Sequence, residues 1–363
     1  MIDPVAFAAL LCDWCLEVQE DQSVLVAGSR LAEPLIVALH RELLVRGAWP
    51  AIRMSPPQLQ EEFYAHAGDR HLDGFAAVDM AEIEAVDASL RIEAPANLSA
   101  LAEIDPARIA RHAKARLPVR EALFARRWSL TQWPTPALAQ QARMSSRDYE
   151  AFMTRALFLD REDPLAAWCE LAARQQSLVE RLSGAGEIRI RTEGTDLRLR
   201  VDGRRWINSD ARRNMPSGEV FTGPLEDSAT GTVRFTIPSN PRGFDVEDVE
   251  LTFAQGRVTS ARAQRGDGFL QGALATDDGA RYLGELGIGT NAGIDRPTGS
   301  TLLDEKIAGT VHLALGQSYP ETGGINVSAL HWDLVCDLRQ GGELTVDGEP
   351  LDLTEFLDRR PVQ

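Results

Sequence analysis

Apolar positions in the first half of the chain follow two alternating rhythms. Ser23 to Ala27 (SVLVA) is a continuous apolar run of strand length, and Gly28-Ser29 follows it as a turn. From Glu33 to Arg46, Leu35, Leu39 and Leu43 recur at helical spacing with Ile36 and Leu44 beside them. Gly47 then stops the pattern. Ala51 to Met54, Gly74 to Val78 (GFAAV) and Ala85 to Ile92 read as further strands. Strands alternating with helices predict an α/β domain built on a mainly parallel sheet with helical crossovers. Pro106 to about Leu182 reads as mostly helical. It is punctuated by Trp133–Pro136 (WPTP), by a helix start at Ser145-Ser146 and by Asp163-Pro164.

Ser183-Gly184-Ala185-Gly186 closes that stretch and marks the expected boundary between an N-terminal domain over 1–184 and a second domain over 185–363. Two domains suit 363 residues, at roughly 100–200 residues each. Past the boundary the period changes to two. Glu187 to Thr192 (EIRIRT) and Asp196 to Val201 (DLRLRV) alternate polar with apolar, as half-exposed strands do. Thr232 to Ile237, Val249 to Phe253 and Arg257 to Ala263 continue the series, and Asp202-Gly203 and Asp347-Gly348 read as hairpin-type turns. The second half is therefore expected to be α+β with antiparallel strands.

Composition narrows the function. An apolar fraction of 44% and a charged fraction of 25% belong to a soluble globular protein. The formal net charge of -16 argues against a nucleic-acid partner, which needs a cationic surface. No apolar run reaches the ~18 residues of a transmembrane helix, so no membrane partner is expected. The N-terminal stretch has no basic lead and carries Asp3, which is not a signal peptide, and a cytoplasmic protein is expected. Four cysteines are too sparse for a disulfide scaffold, and Cys12 and Cys15, in a helical-looking segment, read as buried thiols.

Candidate chemistry concentrates in the second half. His40, His66, His71 and His112 lack companion ligands. His331 and Asp333 stand two residues apart in HWD, and on an extended strand both point to one face. That pair suits zinc, cobalt, manganese or iron, or else forms a His–Asp hydrogen bond on a sheet. His312, in TVHLALGQSYP, precedes Tyr319, whose phenol could serve an oxyanion or a metal, or sit in a core. Asp304-Glu305, in LLDEK, read alone as a solvated charge pair. Glu219 lies in NMPSGEVFTGP, where two glycines and two prolines predict a rigid loop. Glu285, in YLGELGIGTN, stands among Gly284, Gly287 and Gly289, where backbone can approach closely. That glycine spacing does not match a nucleotide loop. No GxSxG elbow, HExxH helix, phosphate-binding loop or paired CxxC supports a serine hydrolase, a thermolysin-like enzyme or an NTPase.

The segments NMPSGEVFTGP, ARYLGELGIGTN, LLDEKIAGTVHLALGQSYP and GGINVSALHWDLV together resemble the thermophilic metalloaminopeptidases, the aminopeptidase T family, and occur in that family's order. RWSLTQWPTPALAQQA and the Asp163-Pro164 helix start are similar too. The resemblance implies an α/β domain followed by a catalytic domain, a homodimer, and peptide substrates with a free N-terminus. It implies two divalent ions (zinc, cobalt, manganese or magnesium) held by Glu219, Glu285, His312, His331 and Asp333, with Tyr319 at the metals. Glu305, set further from His312 than in many members, stands as a further ligand candidate. Glu219 and Glu285 would relay the proton and Tyr319 would stabilise the oxyanion. Ring-cleaving iron dioxygenases acting on dihydroxypyridines are similar as well, and would use His312, His331 and Asp333 around a single iron. Such a site has no need of Glu219 and Glu285, which favours the peptidase.

Overall fold

The first sheet is parallel throughout, in the order Trp49–Ser55, Ser23–Ser29, Ala88–Glu93, Arg127–Gln132, Asn214–Met215. The computed structural model describes residues 2–357. Met1 and 358–363, at the outer ends of the two expected domains, lie outside the described residues. Val24, Leu25 and Val26 are buried in their strand. The following helix, Glu33–Val45, places Pro34 in its first turn and buries Leu35, Ile36, Leu39 and Leu43. Gly47, with φ +73, sits just past its end, where a side chain would be strained. Cys12 and Cys15 are buried in the helical segment Leu11–Cys15, and burial pushes the Cys12 thiol up to about 12.

Three expectations for this half fail. Gly28-Ser29 is not a turn but the paired end of the strand Ser23–Ser29. Gly74–Val78 is not a strand: Ala77–Glu84 is a helix that buries Ile83 and leaves Val78 exposed. A five-residue apolar run carries too little periodicity to separate helix from strand. The expected helical stretch is interrupted by the strand Arg127–Gln132. Its polar residues disguise it. Ser129, Thr131 and Gln132 are buried, and the Ser129 and Thr131 hydroxyls donate to the carbonyls of Arg213 and Met215 at 3.1 and 2.7 Å.

The chain divides into two compact units, Met1–Leu165 with Ala211–Pro216, and Ala166–Asp210 with Ser217–Gln363. The division falls at the start of the helix Pro164–Leu182, where the sequence pattern puts it after the helix, at Gly184. Leu178 and Leu182 explain the difference, because they enter the same core as Ile188 and Ile190. Loop composition marks where a helix ends, not which core its apolar face joins.

Two antiparallel sheets build the second unit. One runs Arg257–Arg265, Glu247–Ala254, Thr230–Phe235, Thr195–Arg200, Glu187–Thr192, Glu343–Val346, Glu349–Pro350. Thr195–Arg200 alternates buried and exposed positions strictly, as its sequence implies. Asp347 and Gly348, with φ of +51 and +86, make the two-residue hairpin between the last two strands. Asp202-Gly203 also turns the chain but makes no hairpin, since Thr195–Arg200 and the next strand, Ile207–Ser209, lie in different sheets. The other sheet runs His331–Asp337, Thr310–Gly316, Leu283–Gly289, Glu219–Thr222, Ile207–Ser209. Glu219 thus opens a fully buried strand rather than sitting in a loop, and Glu285 lies mid-strand.

Candidate metal centre

Strand register sorts this second sheet into two faces of opposite character. Val220, Leu286, Ile288, Val311, Leu313, Leu315, Trp332, Leu334 and Cys336 point to one side and join the apolar core. On the other side Glu219 pairs with Gly289, and Gly287 pairs with both Phe221 and His312. Glu285 pairs with Ala314, Ala314 with Asp333, and Gly316 with His331. Paired residues project to the same face. That face therefore interleaves acids and imidazoles with glycine and alanine, which leave room above the sheet. The room is used. A Cβ on Gly287 would stand 2.1 Å from Cε1 and Nε2 of His312, and one on Gly289 would stand 2.1 Å from the Ile307 carbonyl oxygen. Close backbone approach, expected from the glycine spacing, is what these positions provide.

His312 is fully buried. Its Nε2 lies 3.3 Å from Glu285 Oε1 and 3.4 Å from Glu219 Oε2. His331 Nε2 lies 3.6 Å from both Glu285 Oε2 and Asp333 Oδ2. Two triads result, Glu219–Glu285–His312 and Glu285–His331–Asp333, each with ligand-type atoms within 4.8 Å of one another. Glu285 is common to both, with one oxygen toward each imidazole. His331 Nδ1 is 2.9 Å from the Gln317 carbonyl. A carbonyl only accepts, so Nδ1 carries a proton, and Nε2 is the ring atom turned to the site. The Tyr319 ring lies 5.1 Å from that of His331 and 5.7 Å from that of Phe221.

Burial dominates the electrostatics. It pushes Glu285 up to about 7, against the hydrogen bond from His312. Burial also opposes a charged His312, but its hydrogen bond to Glu285 and the charge of Glu219 outweigh it and raise the imidazole to about 9. His331 is raised the same way, by Asp333 and then Glu285 against burial. Burial, then the Glu285 and Asp333 charges, push the Tyr319 phenol up, so it stays protonated as a donor. The buried carboxylates thus hold protons on both imidazoles, and the same carboxylates would favour a metal cation in place of those protons. Glu219 Oε2 is buried and has no hydrogen-bond partner among the described residues. Leaving such an atom unpaired costs about 1–3 kcal/mol, more for a charged group. The imidazole and two carboxylates of its triad, and those of the triad that shares Glu285, are donor sets that fit a divalent first-row ion.

Glu305 joins neither triad. Its carboxylate is bonded by Lys306, whose Nζ also lies 3.4 Å from Glu219 Oε1. Nor are Asp304 and Glu305 a solvated pair. Asp304 is buried and accepts from Thr298 N at 2.7 Å, Thr298 Oγ1 at 2.8 Å and Gly299 N at 2.8 Å. Its burial raises its carboxyl to about 7. Lys306 is the site residue that sequence reading passes over, because a lysine after two acids looks solvent-facing. A signal was nonetheless present: only Lys114 and Lys306 are lysines among 38 Lys and Arg.

Known proteins resemble this chain in sequence and in fold. The profile of a family described as thermophilic metalloprotease (M29) matches residues 5–353. Aminopeptidase 2 of Geobacillus stearothermophilus is 35% identical over 306 residues, covering 73% of each chain. Among solved structures, wild-type AmpT from Thermus thermophilus superposes with a TM-score of 0.81 at 23% identity over 96% of each chain. The 2,5-dihydroxypyridine dioxygenase of Pseudomonas putida KT2440 shares the fold more distantly, with a TM-score of 0.58 at 15% identity over 96% of each chain.

Proposed function

Because this chain belongs to the thermophilic metalloprotease family M29, a family of metalloaminopeptidases, and is a hydrolase, we propose that it removes N-terminal residues from peptides with two divalent ions. The observation that carries the second ion is the sharing of Glu285 between two triads. Glu219, Glu285 and His312 would hold one ion, and Glu285, His331 and Asp333 the other. When bound, such ions supply a polarised carbonyl and a water acidic enough to attack near neutral pH.

The remaining steps fall to the protein's own groups. Glu219 and Glu285 are the carboxylates in reach of the proton that the attacking water gives up, and they pass it to the leaving amine. Tyr319, held protonated, donates to the oxyanion. The peptide's free α-ammonium is drawn to the carboxylates of the site, which accounts for action at chain ends. A homodimer in the cytoplasm, implied by the family resemblance, belongs to the same proposal, and light scattering of the purified protein tests the dimer. The single-iron dioxygenase is not favoured, since its triad of His312, His331 and Asp333 leaves buried Glu219 without a role.

The deciding assay is hydrolysis of aminoacyl-p-nitroanilides by chelator-stripped protein, with zinc, cobalt, manganese or magnesium added back. Release restored by metal from free-amine substrates, and withheld from N-acetylated ones, is expected. No release with any ion rejects the aminopeptidase reading.

A further inference from the structure

A lysine ammonium without solvent must be compensated by carboxylates, because an isolated charge is too costly to bury. Lys306 is fully buried and compensated twice, by Glu219 Oε1 at 3.4 Å and by Glu305 Oε1. The two acids differ in position: Glu219 belongs to a triad, and Glu305 does not. The fold makes room for this contact. Gly289 lacks the Cβ that would collide with the Ile307 carbonyl, so the Lys306–Ile307 peptide can lie over the sheet. Asn291 N–H donates to the Lys306 carbonyl at 3.1 Å. On the other side, Asp304 ties the same segment to Thr298 and Gly299. Arginine, used almost everywhere else in the chain, would not serve. A compact ammonium can meet two carboxylates from one atom, whereas a planar guanidinium spreads its donors.

We propose that Lys306 is a positioning residue of the metal centre: it holds Glu219 Oε1 and Glu305, turns the single oxygen Glu219 Oε2 to the ion, and keeps Glu305 out of the ligand set. The inference rests on the metal reading above. Its support is that Glu219 Oε2 has no hydrogen-bond partner among the described residues and faces His312 Nε2 at 3.4 Å, while its sister oxygen faces the lysine. A carboxylate held at one oxygen ligates through the other.

The test titrates cobalt(II) into chelator-stripped protein and follows its visible absorption. Wild type is compared with Lys306→Met and with Lys306→Met/Glu305→Gln, which keeps the wild-type formal charge over positions 219, 305 and 306. Both variants are expected to bind cobalt at least as tightly as wild type, since the cation competing for Glu219 is gone, but with an altered spectrum. On a p-nitroanilide substrate kcat falls by about tenfold or more while KM stays within about threefold. A lysine that only filled space would leave the spectrum of a folded variant unchanged. A folded variant with the wild-type spectrum and kcat overturns the proposal. Should Lys306→Met fail to fold, the double variant decides by the same criteria. Wild-type protein that takes up no cobalt overturns the metal reading itself, and this inference with it.

Discussion

His312 Nε2 stands 3.3 Å from Glu285 Oε1 on the neighbouring strand, and the residue directly opposite His312 is Gly287. The imidazole lies over that glycine and reaches across it to the acid. A glycine is required there for space, not for a positive φ: an added Cβ would stand 2.1 Å from two ring atoms. Gly287→Ala is therefore expected to displace His312. Overpacking costs about 1–3 kcal/mol, and a ligand shifted from its place lowers metal affinity by about tenfold or more. Metal content after reloading, read beside a thermal melt, checks this. Wild-type metal content in Gly287→Ala would show that the ring has room to give.

Removing an imidazole separates the two triads. His331→Ala takes away the only nitrogen of the Glu285–His331–Asp333 group and leaves Glu219–Glu285–His312 whole. Bound metal should fall from two equivalents to one. Peptide turnover should fall by more than the ~10–100-fold typical of losing an outer hydrogen-bond partner of a ligand. Elemental analysis gives the first quantity and the nitroanilide assay the second. Full activity in His331→Ala would remove that residue from the centre.

The reach of sequence reading follows the kind of signal each residue gives. Short-range rhythm located the helix of Leu35–Leu43 and the alternation of Thr195–Arg200, because each repeats its burial pattern, and the strand of Val24–Val26 showed as a short run buried throughout. His331 and Asp333 were legible as a pair, since two residues on one strand share a face. Glu219 and Glu285 were marked as candidates, but Glu219 was expected in a loop and Glu285 was assigned to no element, whereas both lie in strands. Their neighbours are glycines that a strand normally avoids, and only the opposing strand explains them. Lys306 was not legible. Its burial depends on Glu219, distant in sequence, and on the space above Gly289. The strand of Ser129 and Thr131 was hidden for a similar reason, as its polar residues are paired by carbonyls of a distant segment.

Asp277 anchors the loop before His331. Its carboxylate accepts from Ala329 N at 2.7 Å, Ser328 Oγ at 2.7 Å and Ala280 N at 2.9 Å, fixing the loop that leads into His331. The Ala329 bond, with those of Ser328 and Ala280 beside it, outweighs the opposing burial and holds its pKa below the usual carboxylate range. A depressed folded pKa gives stability that is fully present above the unfolded value of about 4 and is lost as pH falls through the folded one. Asp277→Asn should therefore be less stable than wild type at neutral pH, by roughly 1 kcal/mol after allowance for solvent. The gap should close as pH drops below about 4. Melting temperature against pH for both proteins reads this directly. A gap independent of pH would mean that the charge of Asp277 contributes nothing.

Metal removal should cost the fold as well as the reaction. Glu219, Glu285 and Asp333 are all buried on one sheet face, and Lys306 is shared between Glu219 and Glu305, a carboxylate outside the triads. Stripped protein keeps these like charges together, with Glu219 Oε2 lacking a hydrogen bond. An ion that binds only the folded chain stabilises it by about 2.7 kcal/mol at a hundred times its dissociation constant. Melting temperature should drop on chelation and rise with added metal, in proportion to the logarithm of its free concentration. The sheet face itself should survive stripping, because the core of Leu286, Leu313 and Leu334 lies on the opposite side. Far-ultraviolet circular dichroism of stripped protein should match the loaded form at low temperature. A melting temperature indifferent to metal, in protein that still hydrolyses peptides, would place the ions outside the two triads.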